Sequence, residues 1–585
     1  MASKPRVVAA IDFGTHASGY AWVVVDPRVS EPAALQIVHN KNWPGNEDVT
    51  AAKTRTALLV DDSGAIAAYG SQVAHEYRAR KASQLPLGTP VEDFKVALKA
   101  GPSGYRVDRD DRAVLGLKRA GISLDQAVTA YLRWIYERAL ADMASSGIQT
   151  EDIDWCLTVP AIWEPAEKDR MRAAAHAAGL PEDRLLLALE PEAAAIQIYY
   201  TQGQLPGGEG AGGLDLYQPG SRFMIVDGGG GTVDITAYQV AEGGGLAEIG
   251  RAKGERLGSQ YLNQGFVDLV SQHLGTSTEL WELDQKDPVG FGDLIRNWEA
   301  AKRHVLYEPK VPVEVPLGAR MDRVLSPAMR ASLARTQDGV DDAIVVQPEE
   351  VDAIFAAVVA PTLDYIDQQL GEMARFTGTQ AAEETIALAG GFAASPYLQE
   401  AIRRRFAGRA RVIQALNPEI AVLHGAVHFA RDPSITRVRR VQYTWGVDTI
   451  SDFDNSRHDL AHRKRIDGKY ACTGIFTVFV REGDQVSPDK PVTLTVTPYS
   501  ARSKTVTINL YSTRSRQPKY VDEPGCVRNG GLTIPIADMM HLPHKQRAIK
   551  VAMYFGRTEL EVEAINTFSQ QKQRVKVSYS YTHGD

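Results

Sequence analysis

The sequence predicts an α/β chain built on a duplicated strand–turn–strand unit, followed by a small antiparallel β-sandwich. Three observations carry this expectation. Residues 8–25, VAAIDFGTHASGYAWVVV, and residues 224–238, MIVDGGGGTVDITAY, each run an apolar strand into Asp-x-Gly and out into a second apolar strand. Segments of helical periodicity lie between and after these hairpins. From about Tyr443 onward, short alternating segments follow one another with turn signals between them, the pattern of an antiparallel sandwich.

The chain has 585 residues, too many for one core, so two or more domains are expected. Its 44% hydrophobic and 23% charged residues are an ordinary globular mix. A formal net charge of -7 gives no general electrostatic case for nucleic acid or an anionic membrane. The start, MASKPRVVAAIDFG, lacks the apolar core of a signal peptide, and no apolar run approaches the roughly 20 residues of a membrane span. Cys156, Cys472 and Cys526 are far apart and form no CxxC pair, which argues against a disulfide scaffold or zinc site and for a reducing cytoplasm.

The two hairpins are the first elements to justify. Asp12 and Gly14 stand in the first as Asp227 and Gly229 stand in the second. Glycine leaves backbone N–H groups bare, so that they can converge on an anion. An aspartate beside them would repel a phosphate unless a cation lay between, and hydrated magnesium suits that place. A dinucleotide fingerprint needs GxGxxG followed by a helix; here the following segment, TVDITAYQV, reads as a strand. One GGGG alone would be a tight hairpin. Two such turns facing each other can hold a polyphosphate from both sides.

The remaining elements carry structure rather than chemistry. Leu124, Ala127, Val128, Tyr131, Leu132, Ile135 and Ala139 follow helical spacing, as do Val351, Ile354, Val358, Leu363, Ile366 and Leu370. Both sets predict core-facing helices. Cys156, in DWCLTVP, is expected in a buried strand. Residues 201–220, with seven glycines and two prolines, read as a mobile loop. His458 and His462 have an i, i+4 spacing but no obvious third ligand, and are expected as solvated surface. The later strands are expected in GIFTVFVREGDQV, VTLTVTPYS, KTVTINLYS, AIKVAMYFG, TELEVEAIN and RVKVSYSY.

In sum, IDFGTHAS and VDGGGGTVDIT resemble the two phosphate loops of the actin-like ATPases, and within them of the 70-kDa heat-shock chaperones. LTVPAIWEPAEKDRMRAAAHAAGL, LALEPEAAAIQIYY, WEAAKRHVL, IALAGGFAASPYLQEAIRRRF and NPEIAVLHGAVHFA resemble further motifs of that family, in the family's order, over about residues 5–432. GGFAASPYLQ, VVAPTLDYI and MYFGRTELEVEA resemble a divergent, lidless branch, the heat-shock 12A/12B type.

The resemblance implies an actin-like ATPase fold over residues 1–432, two duplicated ribonuclease-H-like lobes around a nucleotide cleft. A linker over 433–442 and a β-sandwich over 443–585 would follow. It implies ATP or ADP with Mg2+ as cofactors. Asp12, Glu190 and Asp227 would hold the metal through water, and with Lys95 would form the catalytic set. Gly14, Thr15 and His16 would meet phosphate from one side, and Gly229, Gly230, Gly231 and Thr232 from the other, with Gly258 nearby. Asp234 would support the turn or a monovalent cation. Glu299, Lys302 and Arg303 would flank adenosine and ribose, and Gly390, Gly391 and Phe392 the base. The implied partner is unfolded or extended polypeptide, or a specific protein client, with co-chaperones; nucleic acid and membrane insertion are not expected.

This chain also departs from the family pattern. His16 replaces a small hydroxyl residue, Phe392 and Ala394 replace a serine and an arginine, and Leu306 falls at a serine position. The linker is basic where the family's is apolar and acidic, and no helical lid is expected after the sandwich. A slowly hydrolysing chaperone-like ATPase is therefore expected. A nucleotide-binding scaffold with little turnover is the alternative, ahead of a small-molecule kinase or a filament former.

Overall fold

Strands that read as nearly unbroken apolar runs are those buried on both faces, and this governs the first half of the molecule. The computed structural model describes residues 6–26, 32, 35–46, 51–98, 112–149, 153–202, 216–275, 283–284, 286–378, 384–555, 558 and 560–576. The chain divides into two units. The first comprises Met1–Ile162, Met171–Tyr238 and Ala252–Pro433; the second comprises Trp163–Arg170, Gln239–Arg251 and Ser434–Asp585.

In the first unit, one sheet has the strand order Val38–His39, Ala17–Val25, Arg6–Asp12, Ile153–Val159, Leu185–Leu189. Arg6–Asp12 pairs antiparallel with Ala17–Val25 and parallel with Ile153–Val159, which pairs parallel with Leu185–Leu189. A second sheet repeats this plan. Arg222–Gly228 lies between its hairpin partner Val233–Val240 and the parallel strand Glu384–Ala389, with Ala410–Gln414 beyond. The duplication read from two turns is thus a duplication of sheet topology. Cys156 is fully buried in its strand.

The helix Leu124–Ser145 starts at a capping box formed by Ser123 and Gln126, and buries the expected set except Leu124, which is half-buried. The helix Pro348–Thr377 runs 30 residues with Pro361 inside it, and Thr362, rather than Leu363, turns to the core. The Thr362 hydroxyl donates to the Val358 carbonyl at 2.9 Å, next to the donor that proline removes. The helix Ala421–Arg431 returns to the first sheet and lies on the helix Glu190–Thr201. The approach is so close that a Cβ on Gly425 would sit 1.7 Å from the Ala193 carbonyl oxygen. Arg6 donates to the carbonyls of Ala430 and Arg431, each at 3.1 Å. Most of the expected 201–220 loop lies outside the described residues; Thr201 and Gln202 are helical or near-helical, and Leu216 is buried.

In the second unit, a five-stranded antiparallel sheet has the order Arg463–Ile466, Lys469–Val480, Thr444–Asp452, Thr505–Thr513, Val527–Pro535. A four-stranded antiparallel sheet has the order Val492–Val496, Ile549–Tyr554, Glu561–Asn566, Lys572–Lys576. Val447, Ile508 and Ile534 from the first and Val551, Met553 and Val562 from the second share one hydrophobic core. The end of the last expected strand, 577–581, lies outside the described residues.

Residues 433–442 contain a strand, Thr436–Arg440, paired parallel with Leu246–Glu248 and antiparallel with Gln485–Val486. The solvated surface expected for His458 and His462 is corrected. His462 stacks on Tyr520 at 3.7 Å between ring centroids, and His458 Nδ1 accepts from the Asp454 backbone. No helix among the described residues is long and apolar enough to cross a membrane.

Candidate nucleotide site

Three carboxylates lie at the carboxyl ends of strands, where ligands of open α/β sheets gather. Asp12 and Asp227 lie at the ends of their strands, and Glu190 follows Leu189 directly as the first residue of its helix. Asp12 is nearly fully buried; Thr158 Oγ1 donates to its Oδ1 at 2.9 Å, and Lys53 Nζ lies 2.6 Å from its Oδ2. Lys95, in the short helix Phe94–Leu98, is buried with Nζ 2.6 Å from Glu190 Oε1 and 5.8 Å from the centre of the Phe13 ring. The Ile162 N–H donates to Asp234 Oδ1 at 3.1 Å.

The electrostatics follow from crowding. Burial pushes the Glu190 carboxyl up to about 7; Asp12 and Asp234 add to the rise and Lys95 opposes it. Burial, then Glu190, Asp234 and Asp12, hold Asp227 well above the usual carboxylate range. Burial would raise Asp12 too, but Lys53 and Lys95 outweigh it and its pKa falls. Among the described residues no three His, Cys, Asp or Glu side chains are placed to hold a metal directly.

The two turns meet. A Cβ on Gly230 would lie 2.9 Å from His16 Cβ, and one on Gly231 would lie 2.6 Å from Thr15 Oγ1. The second turn is held from behind by three backbone N–H groups: Gly258 donates to the Gly231 carbonyl, Ser259 to Gly229 and Gln260 to Gly230, at 3.3, 3.1 and 2.9 Å. Gly258 touches this backbone so closely that its Cβ would fall 2.4 Å from the Gly230 carbonyl. Gly14 is bound at its carbonyl by the Thr56 hydroxyl at 2.7 Å. Gly390 has φ +83°, and a Cβ there would sit 2.4 Å from the Gly228 oxygen; Gly391 has open space around it. Phe392 is buried, against the position where a Gly228 side chain would be.

The residues expected around the nucleoside are engaged with one another. His16 Nε2 lies 3.2 Å from Glu299 Oε1 and its Nδ1 lies 3.4 Å from Asp93 Oδ1. Glu299 pushes the His16 imidazole up to about 9 against the effect of burial, so at neutral pH it is a cation that donates from both nitrogens. Burial would raise Glu299, but His16 and Arg55 hold it well below its ordinary value. Arg55 Nη1 is 3.5 Å from Glu299 Oε2. Lys302 donates to the Ser259 carbonyl and Asn263 Oδ1 at 3.0 and 2.7 Å, and burial pulls its pKa down to about 8. Arg303 is largely exposed, 4.0 Å from Glu419.

The structure therefore brings Asp12, Glu190, Asp227, Asp234 and Lys95 into one electrostatic cluster and sets Thr15 and His16 against Gly230 and Gly231. Sequence reasoning missed Lys53, Thr158, Arg55 and Asp93. A lysine just before the short strand Thr54–Arg55 and the arginine that ends it, beside a hairpin with an acidic end, were the available signal.

No family model matches the chain. It is 26% identical to heat shock 70 kDa protein 12A of Mus musculus, across 98% of this chain and 91% of that protein. Heat shock 70 kDa protein 12B of Homo sapiens matches at the same identity and coverage. Heat shock 70 kDa protein BIP3 of Oryza sativa subsp. japonica is 30% identical over 46% of this chain and 34% of its own length. The chain thus resembles the 70-kDa heat-shock proteins, and over nearly its whole length their 12A and 12B members.

Proposed function

We propose that the first unit binds ATP with magnesium at the two glycine turns, hydrolyses it slowly to ADP and phosphate, and acts as a chaperone-like switch. Nucleotide state would bias the binding of extended polypeptide by the C-terminal β-region, read here as a sandwich. We assign residues 1–432 to the ATPase domain, 433–442 to the linker and 443–585 to the β-domain.

The observation that carries this reading is the cluster of Asp12, Glu190 and Asp227 at three carboxyl ends, with Lys95 on Glu190. The donor set suits magnesium, which takes oxygen ligands and keeps several waters. The glycine cradle suits phosphate, since a Cβ at Gly230 or Gly231 would collide with the opposite turn. Asp12, Glu190 and Asp227 would hold the metal through water; when bound, it neutralises charge on the phosphoryl oxygens. Lys95 presents an ammonium to the same place. Glu190, at the start of its helix beside the same place, is suited to order the attacking water. Thr15 and His16 face Gly229–Thr232 as the two phosphate walls, Gly258 backs the second, and Asp234 steadies the turn. Glu299, Lys302, Arg303, Gly390, Gly391 and Phe392 are assigned to the nucleoside end. Turnover is expected to be slow, because no sequence motif resembles an arginine finger.

The test is steady-state phosphate release from ATP by the full chain, with and without an unfolded peptide. Turnover stimulated by peptide is expected. Tight ATP binding without turnover would favour a second reading, a nucleotide-binding scaffold, which is supported by the engagement of His16 with Glu299 and Asp93. Absence of ATP binding would overturn both.

A further inference from the structure

We infer that Lys53 is a positioning residue for the nucleotide phosphates, a built-in cation that reduces the site's dependence on a divalent metal. The inference rests on the nucleotide reading above and adds to it a residue that the sequence did not single out.

Lys53 is placed by its surroundings. It precedes the strand Thr54–Arg55, which is fixed to the first hairpin by the pairs Ser18↔Thr54 and Ala17↔Arg55. The residue opposite Asp12 in the hairpin register is Gly19. A Cβ on Gly19 would lie 3.0 Å from Lys53 Cγ and 2.7 Å from the Ala52 carbonyl oxygen. The missing side chain of Gly19 therefore leaves the space through which the Lys53 stem reaches Asp12. Its ammonium ends 2.6 Å from Asp12 Oδ2, with the lysine side chain 19% exposed and the aspartate 5%. The other Asp12 oxygen is occupied by Thr158.

Charge counting gives this placement its meaning. Asp12, Glu190, Asp227 and Asp234 are four carboxylates, and a triphosphate adds further negative charge. Lys95 is already 2.6 Å from Glu190. Without a second cation, an incoming phosphate would meet a bare Asp12 at the mouth of the first turn and would need magnesium to approach at all. Lys53 neutralises that carboxylate and, as a flexible point charge with three donors, can turn toward a phosphate oxygen while keeping Asp12 within reach. A merely structural ion pair would stabilise the hairpin equally well but would leave the metal dependence of binding unchanged.

The experiment is titration calorimetry of ATP into the full chain, once with magnesium and once with EDTA, for the wild type, Lys53→Met, Lys53→Arg and Gly19→Ala. In the wild type, EDTA is expected to weaken binding by less than about tenfold. In Lys53→Met it should weaken binding by more than about a hundredfold. Lys53→Arg should restore most of the metal-free affinity. Gly19→Ala, which crowds the stem without changing any charge, should behave like Lys53→Met and carries the test if that variant does not fold. Equal metal dependence in the wild type and in every folded variant that removes or crowds Lys53 would overturn the inference while leaving the nucleotide site standing. A wild type that binds no ATP in either buffer would instead remove the nucleotide reading, and this inference with it.

Discussion

Asp227 is buried among carboxylates that push its own pKa upward, so ionised it strains the fold that holds it. Asp227→Asn keeps the shape and removes the repulsion. The variant is expected to fold at least as stably as the wild type in urea and to lose about 10²-fold or more in magnesium-dependent ATP turnover. Normal turnover would reduce Asp227 to a strand-end residue. His16 titrates in the opposite sense. Its folded pKa of about 9 lies above the ordinary histidine value of 6.5, so the folded protein keeps a proton that the unfolded chain releases. That stabilisation is complete below pH 6.5 and is lost as pH rises through 9. Its size is on the order of 2 kcal/mol after allowance for solvent screening. Urea midpoints measured from pH 6 to 9.5 should fall more steeply in the wild type than in His16→Gln. Parallel curves would show that the contacts with Glu299 and Asp93 carry no such linkage. Asp12 and Asp227 were legible in the sequence because each sits at the mouth of a glycine turn, whereas Glu190 and Lys95 came from the family resemblance, Lys95 on a weak local match. Lys53 was not legible, because AAKTRT resembles ordinary surface and only the hairpin register brings it to Asp12.

At the level of elements, the second turn shows what its four glycines are for. Restricted φ values are not the reason for four in a row, since none of Gly228–Gly231 has a positive φ. Gly230 and Gly231 are small because His16 and Thr15 of the opposite turn lie against them, and Gly228 because Phe392 and Ala393 do, whereas Gly229 meets only Thr232 of its own turn. The strand Val527–Pro535 was missed for a related reason. Asn529-Gly530-Gly531 reads as a turn, yet here Gly530, at φ +105°, sits in an irregular stretch opposite Asn509–Tyr511, and Gly531 lets the backbone approach Ile508. The helices 124–145 and 348–377 were readable because their apolar spacing was long and regular. Pro361 lies inside the second without ending it. Gly425→Ala tests the tightest packing of two such elements. Its Cβ would overlap the Ala193 carbonyl, so the helices must part, and a loss of roughly 3 kcal/mol or more is expected. A thermal midpoint within a degree of the wild type would show that the pair accommodates the methyl.

For the whole chain, the expected strand series became two antiparallel sheets that, among the described residues, share a core cluster running from Val447 to Ala564. A fragment of residues 436–585 is therefore expected to fold, although it would lack Glu248, which accepts from the Arg440 backbone, and Arg251, which pairs with Glu482. Bound peptide should exchange quickly, and ATP should change the full chain's peptide affinity by less than ~1.4 kcal/mol, about tenfold. Fluorescence anisotropy of a labelled unfolded peptide on both proteins, with and without ATP, checks this; no binding by either would sink the chaperone reading, and a hundredfold effect would show strong coupling.

The return of the helix Ala421–Arg431 to the helix Glu190–Thr201 and to Arg6 sets an order for synthesis on the ribosome. The N-terminal sheet emerges first, but its covering helix is more than two hundred residues behind, a delay of roughly ten seconds to a minute at ~5–20 residues per second. During that interval the Gly425-facing side of the helix Glu190–Thr201 has no cover, and a nascent chain has reason to need a holding factor. Chains stalled before residue 421 should be cut rapidly by added protease within residues 6–201. Chains stalled far enough beyond 431 to clear the exit tunnel should resist, and equal resistance of the two would mean that the first half closes without its last helix.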